Sequence, residues 1–167
     1  MNKHKWEKQL AEQIPGLLRY AKALTHNGHF AEDLLQDCLE RAWSRRLLYD
    51  QDKDLRVWLF TIMHNLYINH LNKLENRQLT IPVESLELGS SDDNDLLLRD
   101  FEKAMLKLRP EYKEILILIG VESLSYTEVA EILNIPIGTV TSRLYRAREN
   151  LRFFMQDHQN GKVVKLK

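Results

Sequence analysis

The sequence predicts an all-α protein built from two small helical domains joined by a flexible acidic linker. Three observations carry that expectation. Apolar residues recur at steps of three and four through a series of stretches long enough to be helices. That periodicity lapses once, over residues 76–95, where proline, glycine, paired serines and acids gather. Beyond it, Ser125–Leu151 reads SYTEVAEILNIPIGTVTSRLYRARENL, two helical patterns separated by a short turn. With 167 residues and 44% hydrophobic content, the chain has enough apolar mass for one core or two small ones.

From about Trp6 to Leu24, the spacing of Leu10, Ile14, Leu17, Leu18, Ala21 and Leu24 predicts a first helix, with Pro15 and Gly16 as a place to kink. THNGHF ends it. A second helix from Ala31 turns Leu34, Leu35, Cys38, Leu39, Ala42 and Trp43 inward and Asp33, Gln36, Asp37 and Glu40 outward. RRLLYDQDKD, rich in charges and turn formers, reads as a loop. A third helix, Leu55 to Leu74, gives Trp58, Leu59, Ile62, Leu66 and Leu71 to the core. It leaves Arg56, His64, Asn65, Tyr67, Asn69, His70 and Lys73 for the surface.

After the linker, a fourth helix spans Leu96 to Leu108 and stops at Pro110. A fifth runs from Glu111 to about Val121 and buries Ile115, Leu116, Leu118 and Ile119. Ser125 followed by Glu128 is a capping-box spacing, so a short helix begins there, buries Val129, Ile132 and Leu133, and stops at Asn134. Pro136 opens the last helix, whose inward face is Val140, Leu144, Ala147 and Leu151. After Phe154 the short tail is expected to fray. The implied domains are 1–75, a linker over 76–95, 96–155, and a flexible tail over 156–167.

The formal net charge is zero, but the charge is segregated. Residues 1–75 hold 11 basic and 10 acidic side chains, 76–98 hold 1 and 5, and 99–167 hold 12 and 9. Between Pro136 and Arg152 four arginines face Glu149 alone, so the field at the last helix is positive despite the neutral total. Its outer surface displays Thr139, Thr141, Ser142, Tyr145, Arg146 and Arg148. These groups suit a DNA major groove, where arginine and hydroxyl side chains read base edges and further arginines neutralise phosphates. The bland alternative is a solvated amphipathic helix kept soluble by its arginines.

The single cysteine, Cys38, excludes an internal disulfide and fits a reducing cytoplasm. It lies in an apolar stripe, where packing is its expected job. No signal peptide and no membrane-length apolar run is evident. The six histidines lack metal-ligand spacing, and no phosphate-cradling loop, nucleophile elbow or carboxylate pair appears. No metal, no cofactor and no enzymatic activity are therefore expected.

LSYTEVAEILNIPIGTVTSRLYRARENL, preceded by LRPEYKEILIL, resembles region 4 of bacterial RNA polymerase sigma factors of the extracytoplasmic-function group. That group's pattern is approximately LP-x-x-x-R, LSY-x-EIA, then P-x-GTV-x-SR-x-x-RAR. Two departures stand out: Thr141 occupies a position that is often basic, and an Arg is usual where Lys113 or a neighbour stands, Lys113 keeping the charge without the planar fork. EDLLQDCLERAW resembles region 2.2 of the same group, a surface that docks on the largest subunit of core polymerase. By that resemblance Asp33, Gln36, Asp37 and Glu40 contact the core enzyme, with Asp37 replacing a more usual Glu. Read without the resemblance, the same acids are an ordinary solvated face.

WLFTIMHNLYINHLNK resembles the WL-x-x-IA-x-N-x-x-x-D-x-x-R segment of regions 2.3 and 2.4, which opens and reads the minus-ten promoter element. The resemblance places Tyr49, His64, Asn65, Asn69 and Lys73 at minus-ten DNA, Asn65 near a flipped base, and Trp58 in a structural role. Asn69 replaces the usual Asp and Lys73 the usual Arg. Thr139, Thr141, Ser142, Arg143, Tyr145, Arg146 and Arg148 fall at the minus-thirty-five element. The implied function is a sigma factor that binds core RNA polymerase, directs it to particular promoters, and is held inactive by an anti-sigma factor. Two other readings remain at this point. One is a stand-alone helix-turn-helix regulator of the LuxR type, which would not need the two polymerase-like segments of the first half. The other is an adaptor working through the acidic helix, which would not need the arginine-rich one.

Overall fold

The computed structural model describes residues 3–84 and 93–163, and among these every regular element is helical. The all-α expectation therefore holds. The chain groups into two compact units: residues through Glu84 together with Thr127–Ile135 form the first, and the remainder forms the second.

In the first unit, α1 (Lys3–Thr25), α2 (Gly28–Ser44) and α3 (Leu55–Asn76) pack pairwise, with α2 against both partners. Helix α1 runs through Pro15 without ending, and it closes at His26, which adopts a left-handed φ of 49°. Helix α2 starts at Gly28, three residues before the apolar pattern begins. The reason is local: Asn27 in extended conformation accepts a hydrogen bond from the Phe30 amide, a side-chain N-cap that periodicity cannot reveal. Of its buried positions, Leu34, Cys38 and Ala42 belong to the expected stripe and Ala31 extends it, while Leu35, Leu39 and Trp43 are half-buried.

Helix α3 departs most from the sequence reading. Leu59, Ile62 and Leu66 are buried as expected, but so are Val57, Phe60, Met63 and Tyr67, while Trp58 and Leu71 are half-buried. At about 100° per residue the seven buried positions cover more than half of the helix circumference, so a single apolar stripe underestimates the burial. Tyr67, expected at the surface, is a correction: it is 3% exposed and its hydroxyl donates to the Leu24 carbonyl at 3.5 Å. An aromatic body with a polar tip can close a core while its hydroxyl meets a free carbonyl near a helix end.

In the second unit, α4 (Asp93–Lys107), α5 (Pro110–Leu116) and α7 (Ile137–Val163) meet through α7, which packs on both of the others. Pro110 opens α5 at its first turn, where a missing N–H costs nothing. A π-helical turn, Ile117–Val121, extends α5 and buries Ile117 and Leu118. Helix α6 (Tyr126–Leu133), which from Thr127 onward groups with the first unit, buries Val129, Ile132 and Leu133 as expected.

Helix α6 ends where the sequence places its end. Asn134 takes φ 51°, its amide donates to the Glu131 carbonyl, and the Ile135 amide reaches back to the Ala130 carbonyl. This is a Schellman closure with asparagine in the left-handed position. The Pro136 carbonyl then accepts from the Thr139 and Val140 amides and starts α7. Val140, Leu144 and Ala147 are buried and Leu151 is half-buried. Helix α7 does not stop near Phe154 but continues to Val163, so the start of the expected tail is helical.

Candidate functional site

Three surfaces carry the candidate residues. On α2, Asp33, Gln36, Asp37 and Glu40 are all exposed and, at spacings of three and four, share one face opposite the buried stripe. Gln36 Nε2 donates to Glu40 Oε1 at 3.1 Å. Beneath them, burial pushes the Cys38 thiol up to about 12, and its Sγ lies 3.6 Å from the Leu59 carbonyl oxygen. A thiol so held is a packing group, inert as a nucleophile at neutral pH.

The second surface is the exposed side of α3 with the loop before it. Asn65, Asn69 and Lys73 are exposed at four-residue steps, a straight stripe about 12 Å long. His64 is half-buried. Asn69 and Lys73 line one cleft with Asp37 and Glu40 of α2, together with Arg41, Ser44, Leu66 and His70, enclosing about 510 Å³. His70 bridges its walls: Nε2 lies 3.7 Å from Asp37 Oδ2, and the ring meets Phe30 edge-on at 5.0 Å. The structure thus brings acidic residues of α2 and polar residues of α3 around a common opening. His64, Asn65 and Tyr49 lie outside this lining.

Tyr49 is held by its neighbours. Its ring packs 5.4 Å from Trp6 and 5.1 Å from Trp58, and its hydroxyl donates to the Lys53 carbonyl. Its phenol is raised above its ordinary range, first by burial and then by the Asp54 and Asp50 carboxylates. Asp54 accepts from the Arg56 amide at 2.7 Å and so caps α3. The ring therefore serves to anchor the loop of residues 45–54. What the loop presents instead is Leu47 and Leu48, on a single 3₁₀ turn and 88% and 80% exposed. The sequence reading assigned them no role, although an adjacent leucine pair in a charged loop is itself a signal.

The third surface is α7. At 100° per residue, Ser142, Tyr145 and Arg146 lie opposite the buried face, with Thr139 and Arg143 flanking one side and Thr141 and Arg148 the other. Thr139 and Arg143 are half-buried and the other five exposed, Tyr145 at 67%. Thr141 Oγ1 donates to the Ile137 carbonyl and Ser142 Oγ to the Thr139 carbonyl, each at 3.2 Å, which leaves hydroxyl lone pairs outward. From Thr139 to Arg148 the face is about 14 Å long, comparable with the width of a DNA major groove.

Comparison with known proteins matches both halves. The family model for the sigma2 domain of PhyR covers residues 10–64, and that for sigma-70 region 4 covers 98–151. The first includes α2 and Tyr49 and ends at His64, so Asn65, Asn69 and Lys73 lie just beyond it. The second includes every candidate on α7. The ECF RNA polymerase sigma factor SigE of Mycolicibacterium smegmatis is 28% identical over 163 residues. That alignment covers 93% of this chain and 63% of the relative, so the chain spans less than two thirds of that protein's length.

A crystal structure of the sigma factor RpoE with the anti-sigma factor NepR from Bartonella quintana superposes with a TM-score of 0.76 at 31% identity, covering 91% of this chain and 97% of that one. The ECF RNA polymerase sigma factor EcfG of Rhodopseudomonas palustris is 31% identical over 141 residues, 83% of this chain and 78% of the relative. With matched regions 2 and 4 in order and identity at that level across most of its length, the chain belongs to the extracytoplasmic-function family of RNA polymerase sigma factors.

Proposed function

We propose that the protein binds core RNA polymerase through the acidic face of α2, opens minus-ten promoter DNA with the exposed side of α3, and reads minus-thirty-five duplex DNA with α7. In this reading residues 1–75 and 96–155 are the two functional modules, and the acidic stretch between them is a linker. The observation that carries it is the pairing, in one chain of the family, of an exposed carboxylate face on α2 with an exposed arginine face on α7. A stand-alone regulator has no use for the first, and an adaptor none for the second. Carboxylates and an amide on a helix complement a basic partner and supply orientation and association rate more than raw affinity.

Opening DNA needs no bond-making residue. Unstacking a base costs a few kcal/mol, which amide hydrogen bonds and stacking offset, and the protein acts without catalysis of its own. It works in the cytoplasm; among the described residues no helix is long and apolar enough to cross a membrane. The anti-sigma factor in the Bartonella quintana complex supports a partner of that kind for this chain as well.

The test is gel filtration with bacterial core polymerase, followed by run-off transcription from a promoter library. Co-elution with new transcripts is the expected result. Specific duplex binding by the chain alone, without co-elution, would favour a free-standing regulator.

A further inference from the structure

Helix α3 ends in a second Schellman closure. Gln78 takes φ 55° and donates to the Glu75 carbonyl, and the Leu79 amide returns to the Leu74 carbonyl at 2.9 Å. The chain turns back there and reaches the start of α2. Asn27 Nδ2 donates to the Pro82 carbonyl at 2.9 Å, the Glu84 amide to the His26 carbonyl at 3.0 Å, and the Gly28 amide to Glu84 Oε2 at 2.9 Å.

This contact fills a gap that α2 leaves in its own sequence. The first turn of α2 contains no acidic residue, so nothing within the helix complements the positive end of its dipole. Asn27 satisfies the Phe30 amide, and Glu84 satisfies the Gly28 amide from 56 residues away. The fit is close: a Cβ on Gly28 would stand 3.3 Å from Glu84 Oε2. The strap also roofs a small cleft of about 240 Å³ whose wall includes Asp33, the first residue of the acidic face.

We propose that Glu84 is a positioning residue for the polymerase-facing surface of α2: residues 79–84 form a clasp that fixes the first turn of that helix and thereby the placement of Asp33. The inference rests on the proposed role of α2. It ties the segment that follows α3 to the first turn of the core-binding helix.

The experiment uses the full chain as wild type, Glu84→Ala, Glu84→Gln, Asp37→Lys, and Asp33→Ala with and without Glu84→Ala, with two readouts: hydrogen exchange at the amides of residues 28–31, and affinity for core polymerase. Losing a cap contact of this kind accelerates exchange about fivefold in Glu84→Ala, and affinity falls severalfold. Glu84→Gln keeps an acceptor and recovers part of both. In an Asp33→Ala background the affinity loss from Glu84→Ala disappears, because Glu84 acts through Asp33.

Unchanged exchange in Glu84→Ala would refute the clasp. Faster exchange with unchanged affinity, or an affinity loss that persists undiminished in the Asp33→Ala background, would refute the positioning role. If Asp37→Lys leaves polymerase affinity intact, the assignment of α2 as the polymerase face fails and the positioning role with it, while the exchange data still decide whether the clasp exists.

Discussion

Lys113 should be replaceable by methionine with a gain in stability. It is 8% exposed on α5, and burial alone lowers its ammonium from the ordinary 10.5 to about 8. At neutral pH the side chain is therefore charged in the folded state at a desolvation cost that the unfolded chain does not bear. A drop from 10.5 to about 8, at about 1.4 kcal/mol per pH unit, sets a ceiling near ~3.5 kcal/mol. Relaxation around a buried charge leaves roughly 1–2 kcal/mol as the expected gain. Methionine keeps an unbranched stem of similar length and fills the space without the charge.

The pH dependence has a definite sign. Between the folded value near 8 and the unfolded value near 10.5, the unfolded chain holds the extra proton, so wild-type stability climbs as pH rises across that window. Below about pH 8 the cost is fully present, and above about 10.5 it is gone. The advantage of Lys113→Met should thus be largest at pH 7 and shrink by pH 9.5.

The three tryptophans, Trp6, Trp43 and Trp58, all lie in the first unit. Tryptophan fluorescence therefore follows that unit, while far-UV circular dichroism follows both. In thermal scans at pH 7 the part of the dichroism transition not matched by fluorescence should rise by roughly 5–10 °C in the variant, with the fluorescence midpoint unmoved. An equal or lower midpoint at pH 7, or an advantage that does not shrink by pH 9.5, would refute the reasoning.

Removing the guanidinium opposite the buried face of α7, Arg146→Ala, should weaken binding to the upstream promoter element by about 1–3 kcal/mol if it reads a base. Titrations against matched and mismatched duplexes check this, and equal losses on both would reassign it to a phosphate contact. Asn65→Ala should leave upstream duplex binding intact but impair opening, so permanganate footprinting should show reduced thymine reactivity near minus ten; reactivity equal to wild type would exclude Asn65 from the melting step. Cys38, with its thiol raised to about 12, should resist alkylation in the folded chain and react once urea unfolds the first unit, which mass spectrometry reads directly; rapid labelling of folded protein would show that its burial opens readily.

The elements most legible in the sequence were those whose signals are local. The buried face of α7 follows from Val140, Leu144 and Ala147, and the end of α6 from Asn134 before Ile135 and Pro136. The exposure of Asp33, Gln36, Asp37 and Glu40 followed from the stripe behind them. What escaped was set by partners distant in sequence. Tyr67 falls outside the stripe of Trp58, Leu59, Ile62, Leu66 and Leu71 and so reads as surface, yet it closes against Leu24, 43 residues away. Tyr49 could be placed near a nucleic-acid surface, but its anchoring needs Trp6 and Trp58 in three dimensions. Residues 79–84 looked like free linker because Pro82 and Glu84 carry no period; only the folded chain shows Glu84 on the Gly28 amide.

The neutral total charge follows from the two jobs the chain is proposed to do. A uniformly basic protein of this size would adhere to any duplex, since phosphate neutralisation is indifferent to sequence. Residues 76–98, with one basic and five acidic side chains, offset the net positive charge of the segments before and after them, leaving little overall attraction to DNA at long range. Attraction at close range survives, because the field within a Debye length of about 8 Å is set by the four arginines against Glu149. Specific contacts at the reading helix are then retained while non-specific association is held down. In the proposed reading a basic partner that covers the α2 carboxylates would mask part of the chain's negative charge and leave the arginines of α7 less opposed, so DNA affinity should be higher in the complex than in the free chain.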